Sequence, residues 1–184
     1  VIQWVHRSTR GWSYGSNVSD PRTGEIIKGH VSLGSLRVRQ DYLIAQSLIE
    51  NPYSIENKDK VLQMSLARIR QLSAHEVGHT LGFAHNFSSS TKNRSSVMDY
   101  PHPLIKIKND KINLDDAYPV GIGEWDKISV AYSYSEFLEN QNEKIELNKI
   151  LEKSYQDGYR FITDSDARAK GGAHVNAHLW DNNE

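Results

Sequence analysis

"SAHEVGHTLGFAHNF", residues 73–87, places three histidines, one glutamate and two glycines between His75 and His85. It closes the strongest helical segment of the chain, residues 59–82, where Leu62, Leu66, Ile69 and Leu72 recur at spacings of three and four, as one buried stripe requires. On a helix His75 and His79 project from one face, a turn apart, so two imidazole nitrogens can reach one ion at about 2.0–2.1 Å. Glu76 stands next to the first of these histidines, where it can hold a water on the ion without being a ligand. Gly82 is placed to end the helix in a left-handed conformation, and the redirected chain can bring His85 to the same ion. Three neutral imidazoles and one open position describe a catalytic zinc site and not a closed structural one.

Zinc in such a site lowers the pKa of its water and polarises a carbonyl, while Glu76 accepts and then shuttles the proton. The implied reaction is hydrolysis of an amide, most naturally a peptide bond. The bare pattern H-E-x-x-H also turns up in unrelated helices. Gly82 and His85 add two fixed positions, at the points where the helix needs a breaker and the metal a third ligand.

The remaining composition narrows the alternatives. A chain of 184 residues is long enough to bury a real core, and 38% hydrophobic with 24% charged residues is ordinary for a globular protein. A net charge of −1 offers no global field for nucleic acid or an anionic membrane. No apolar run is long enough to span a bilayer. With no cysteine, disulfide scaffolds, thiolate zinc sites and cysteine nucleophiles are excluded, and any metal is held by histidine, carboxylate or carbonyl groups. The opening "VIQWVHRSTR" has no apolar signal core and no initiating Met, and reads as the start of a processed or excised fragment.

Outward from the histidines, "VIQWV" (1–5) reads as a buried strand followed by a Gly/Ser-rich loop, "RSTRGWSYGSNVS". Turn chemistry at Asp20-Pro21 and Thr23-Gly24 precedes a β-rich "EIIKGHVSL". Residues 41–50 read as a short helix broken at Pro52, and residues 86–114 as mostly loop. Residues 122–139 and 140–157 suggest two further helices, the second charged, and the tail holds a short β-like "YRFIT".

"HEVGHTLGFAH" fits the metzincin signature H-E-x-x-H-x-x-G-x-x-H at every fixed position, and "SSVMDYP" follows with Met98 thirteen residues after His85. The chain resembles metzincin zinc proteases, whose Met-turn methionine lies beneath the zinc ligands. "SVMDY" is similar to the S-x-M-x-Y form of astacins and serralysins, and the wider chain resembles a bacterial metzincin-type family. The resemblance implies a zinc metalloendopeptidase with one catalytic Zn2+ held by His75, His79 and His85, Glu76 as base, and Met98 supporting the geometry. It also implies that Tyr100 can approach the zinc and donate to a developing oxyanion. The implied fold is α+β: a small mixed sheet packed on the active-site helix, with a mainly helical C-terminal subdomain. Residues 1–135 would form the catalytic domain (1–85 with the active-site helix, 86–135 with the Met-turn and a helix), and 136–184 a helical or irregular extension. "GEIIKGHVSL" (24–33) would be the sheet edge that pairs with an extended substrate. The first strand and backing helix usual in metzincins find no room in this chain.

Other candidates are weaker. His174 and His178 are four apart but lack an adjacent acid and follow two glycines. Asp115, Asp116 and Glu124 are the candidates for calcium, which some metzincins bind, without the tight oxygen-ligand spacing of an EF-hand. His6, His30 and His102 are isolated, and Asp99 has no role that spacing reveals. A catalytically idle binding module and a zinc amidase acting on a non-peptide amide are the competing functions; the first is disfavoured because the glutamate and all three histidines are present. The expected partner is a peptide or protein substrate, and the resemblance suggests the cell envelope or the exterior.

Overall fold

A computed structural model describes residues 1–8, 11–167 and 174–175. The chain divides into two compact units, Val1–Gly82 with His102–Gly121, and Phe83–Pro101 with Ile122–Glu184.

The first unit opens with a three-stranded mixed sheet. Strand β3 (Ile26–Gly34) is central, parallel to β1 (Ile2–Val5) from Ile2↔Val31 to Val5↔Gly34 and antiparallel to β2 (Tyr14–Ser19) from Tyr14↔Ser32 to Ser19↔Ile26. This corrects two expectations. "GEIIKGHVSL" is the centre of the sheet and not its edge, and the edge beside the histidine helix is β2, inside the stretch expected to be a loop. The residues of β2, "YGSNVS", are mostly small and polar, so they carry almost no strand signal. They are small because the strand lies on a helix. A Cβ at Gly15 would come within 1.9 Å of the Glu76 carbonyl oxygen, and the Asn17 amide donates to the His79 carbonyl at 3.3 Å.

Helix α1 (Ser35–Leu48) and the 26-residue helix α2 (Ile55–Thr80) follow the sheet. Ser54 caps α2, its hydroxyl accepting from the Asn57 N–H at 3.2 Å, so the helix begins four residues earlier than the leucine stripe indicates. The stripe itself is displaced. Leu62 and Leu66 stay 41% and 43% exposed, while Val61, Met64, Ser65, Arg68, Gln71, Leu72, His75 and Glu76 are buried. Val61 and Met64 pack with Ala45, Leu114, Ala117 and Tyr118 in the apolar core. Apart from Leu72 and Gly78, the rest of the inward face is polar, which a hydrophobic periodicity cannot register. Arg68 lies 5.5 Å from the Tyr118 ring centroid and donates to Gln71, and Asp41 is fully buried in an ion pair with Arg37 at 2.7 Å. A two-stranded hairpin, β4 (Lys106–Lys108) and β5 (Lys111–Asn113), occupies part of the expected loop, turning through Asn109 and Asp110 at positive φ.

The second unit is mainly helical. A short 3-10 turn (Phe87–Thr91) precedes α3 (Glu124–Tyr134), α4 (Glu143–Gln156) and the four-residue α5 (Asp164–Ala167). Helices α3 and α4 are shorter than their expected ranges, 122–139 and 140–157. Trp125 of α3 stacks on Phe161 with centroids 5.8 Å apart and planes 11° from parallel. "YRFIT" forms no strand, although its backbone is tied to Asn86 and Phe87, as described below. A mixed α/β architecture with small sheets and five α-helices among the described residues agrees with the fold class expected from sequence. Among those residues no helix is long and apolar enough to cross a membrane.

Candidate metal centre

The last two turns of α2 carry His75, Glu76 and His79. The i, i+4 spacing brings the Nε2 atoms of His75 and His79 to 3.1 Å, with the rings edge to face at 4.7 Å. Two nitrogen lone pairs facing each other at that distance repel unless a proton or a cation lies between them. For tetrahedral zinc with nitrogen ligands, the ligand–ligand edge is about 3.3 Å, so the donor pair fits that ion. His75 and Glu76 are buried, at 2% and 4% exposure. Burial pushes the Glu76 carboxyl up to about 7, opposed by the Gly15 N–H that it accepts and by the charge of Arg68. A carboxyl held near neutrality can both take and return a proton.

Gly82 ends the helical run as expected, at φ +89 and with its N–H on the His79 carbonyl at 3.1 Å. Three residues on, His85 lies between two side chains. The Tyr100 hydroxyl is 2.8 Å from Nε2, and an Asp164 carboxylate oxygen is 2.9 Å from Nδ1. Among the described residues a single group of three possible metal ligands is found. It comprises His75, His79 and His85, each offering one nitrogen, all within 4.8 Å of one another.

The segment Ser95–Tyr100 is buried and tightly tied. Met98 is 3% exposed; its N–H donates to Ser96 Oγ at 2.9 Å, and its carbonyl accepts the N–H of Asn86, the residue after His85, at 2.7 Å. Asp126 in the first turn of α3 collects three donors: the Ser96 hydroxyl, the Val97 N–H at 2.8 Å and the Gly123 N–H at 2.7 Å. The Trp125 N–H adds a bond to the Ser95 carbonyl at 2.9 Å. Asp99 accepts from the Tyr100 N–H at 2.8 Å and from the Ser90 hydroxyl, which fixes the backbone that presents Tyr100. Tyr100 itself stacks on the fully buried Phe87 and packs against the His85 ring.

This arrangement of helix, glycine break and buried methionine turn has a counterpart among known families: the Met-zincin family model matches residues 57–184. The chain belongs to the Met-zincin family. That membership and the grouped histidines together support a metalloprotease-type, metal-binding class for this Met-zincin. No curated protein and no solved structure matches the chain.

Sequence reasoning missed Asp126 and left Asp99 without a role. Both are single acids whose partners are backbone N–H and hydroxyl groups, and Asp126 lies in a stretch, residues 122–139, whose sequence suggests only a helix. The calcium candidates lie elsewhere. Asp116 pairs with Lys106 at 2.6 Å, Asp115 accepts from Asn113 at 2.7 Å, and Glu124 pairs with Lys127 at 2.5 Å. His6 and His30 each lie near an aromatic ring, Trp4 and Tyr14 respectively. The His174 N–H donates to the Asp166 carbonyl at 3.0 Å, and His178 lies outside the described residues.

Proposed function

We propose that this Met-zincin is a zinc-dependent endopeptidase. The observation that carries the reading is the group of three histidine nitrogens within 4.8 Å, with the buried Glu76 beside them on the same helix. His75, His79 and His85 would hold the zinc, which when bound supplies a Lewis acid and a water of lowered pKa. Glu76 takes the proton from the attacking water at its carboxylate and delivers it to the amine that leaves as the C–N bond breaks. Tyr100, whose hydroxyl is 2.8 Å from His85 Nε2, would donate to the developing oxyanion. Met98 supports the centre from within the buried turn that it anchors to Asn86.

A peptide suits the sheet. Among the described residues strand β2 pairs only with β3, so its outer edge offers backbone groups to an extended chain with little regard for side chains. Its odd-numbered face, Gly15 and Asn17, lies on α2 at Glu76 and His79, which sets that edge beside the base. By family analogy the site of action is the cell envelope or the exterior.

Metal analysis and a digest of a peptide library, with a chelator control, test the reading. About one zinc per chain is expected, and Glu76→Ala should keep the metal while losing hydrolysis. Stoichiometric zinc with unchanged cleavage in that variant would sink the assigned mechanism.

A further inference from the structure

The His85 ring has two nitrogens, and their partners differ in kind. A carboxylate can only accept, so the contact with Asp164 at 2.9 Å places the ring proton on Nδ1. In a neutral imidazole Nε2 then carries the lone pair, and the Tyr100 hydroxyl at 2.8 Å donates to it. Asp164 thereby fixes both the tautomer and the plane of the ring, and leaves Nε2 as the atom able to bind a metal.

What brings an acid 79 positions away to this histidine is a set of bonds in the tail. The Phe87 N–H donates to the Ile162 carbonyl at 2.8 Å, and the Ile162 N–H to Asn86 Oδ1 at 3.1 Å. The Asn86 amide donates to the Arg160 carbonyl at 2.9 Å, which also accepts the Ser88 hydroxyl. Asn86 is 1% exposed and Phe87 fully buried, so residues 160–162 are joined to the two residues that follow His85. Phe161 adds its stack on Trp125. The segment therefore ends with Asp164 delivered to Nδ1.

We infer that Asp164 is a positioning residue of the metal centre, an outer carboxylate that orients His85 and raises its basicity toward zinc through the Nδ1–H bond. The inference rests on the zinc reading above. It makes the tail through Asp164 part of the metal centre.

The test uses the full chain with Asp164→Ala and Asp164→Asn. Three readouts are taken: zinc affinity by competition with a chromophoric chelator, the visible spectrum of the Co2+-substituted chain, and the melting temperature of the metal-free chain. Outer carboxylates of this kind are worth about 10–100-fold in metal affinity. Asp164→Ala should lose that much, shift the cobalt bands and melt as wild type without metal, since Asp164 is half exposed. Asp164→Asn, which keeps an acceptor for Nδ1–H, should recover most of the affinity. Wild-type zinc affinity in Asp164→Ala overturns the inference and leaves the zinc reading standing. An affinity loss with a lowered metal-free melting temperature and no rescue by Asn assigns Asp164 to folding, and also overturns it. A wild-type chain that binds no zinc overturns both.

Discussion

The Asp126 carboxylate accepts the Val97 backbone N–H at 2.8 Å, tying the first turn of α3 to the residue before Met98. With the Ser96 hydroxyl and the Gly123 N–H on the same carboxylate, one buried acid holds the methionine turn in place. Replacing it by Ala leaves two backbone N–H groups without an acceptor, at about 1–3 kcal/mol for each buried group. Asp126→Ala should therefore lower the urea unfolding midpoint by the equivalent of roughly 2–6 kcal/mol. Asp126→Asn, with one acceptor oxygen in place of two, should fall between. An alanine variant as stable as wild type would show that the turn holds without this acid.

Gly15 is where strand β2 meets the helix that carries Glu76. A methyl group there would overlap the Glu76 carbonyl oxygen, so strand or helix must move. Overpacking of this kind typically costs about 1–3 kcal/mol. Gly15→Ala should lose stability in that range and shift Glu76, which also accepts the Gly15 N–H, with a parallel loss of proteolysis. Gly34→Ala, where nothing lies within 4 Å of the added carbon, is the control and should unfold like wild type. Equal unfolding of the two variants would refute the close approach.

Removal of metal should destabilise the chain by mass action. A ligand that binds only the folded form at about 1,000 times its Kd adds about 4 kcal/mol. Melting in the presence of excess zinc and then of a chelator should show a clear fall in Tm, reversed by adding zinc back. The Tm should not change if the three histidines bind no ion.

Glu76 gives a pH signature in the metal-free chain. Its carboxyl is raised from 4.5 to about 7, so between these values the folded chain binds more protons than the unfolded one. Stability from this group is therefore lost as pH rises from 4.5 to about 7 and regained as pH falls. At pH 8 the penalty is on the order of 3 kcal/mol. Metal-free Glu76→Gln should accordingly exceed wild type in stability at pH 8, with the gap closing toward pH 5, in urea titrations at both pH values. A gap that is absent or widens on acidification would contradict the burial of the charge. Under the proposed function, the same exchange should also abolish peptide hydrolysis, since stability and a catalytic acid oppose each other.

The grouped histidines and the helix end at Gly82 were legible because both depend on neighbours within a few residues. An i, i+4 pair, a glycine at positive φ and a third histidine six residues on are fixed by local chain geometry. The methionine turn was legible as a motif, since Ser96 and Met98 meet within the turn itself. Helix α2 was legible in extent but not in facing, because half of its inward side is Ser65, Arg68, Gln71, His75 and Glu76. Residues 14–19 looked like a loop because Gly15, Ser16 and Asn17 have no strand preference of their own.

The sequence by itself determined the spacing of the histidines, the glutamate beside them and the break that turns the chain toward His85. Tertiary structure alone decided that β2 and not β3 is the edge, that Asp126 holds the methionine turn, and that Asp164 meets His85. The last two contacts join residues 29 and 79 positions apart. Periodicity reports only neighbours along an element, and an aspartate reads the same at any position. Which acid finds which donor is settled only when packing buries one against the other.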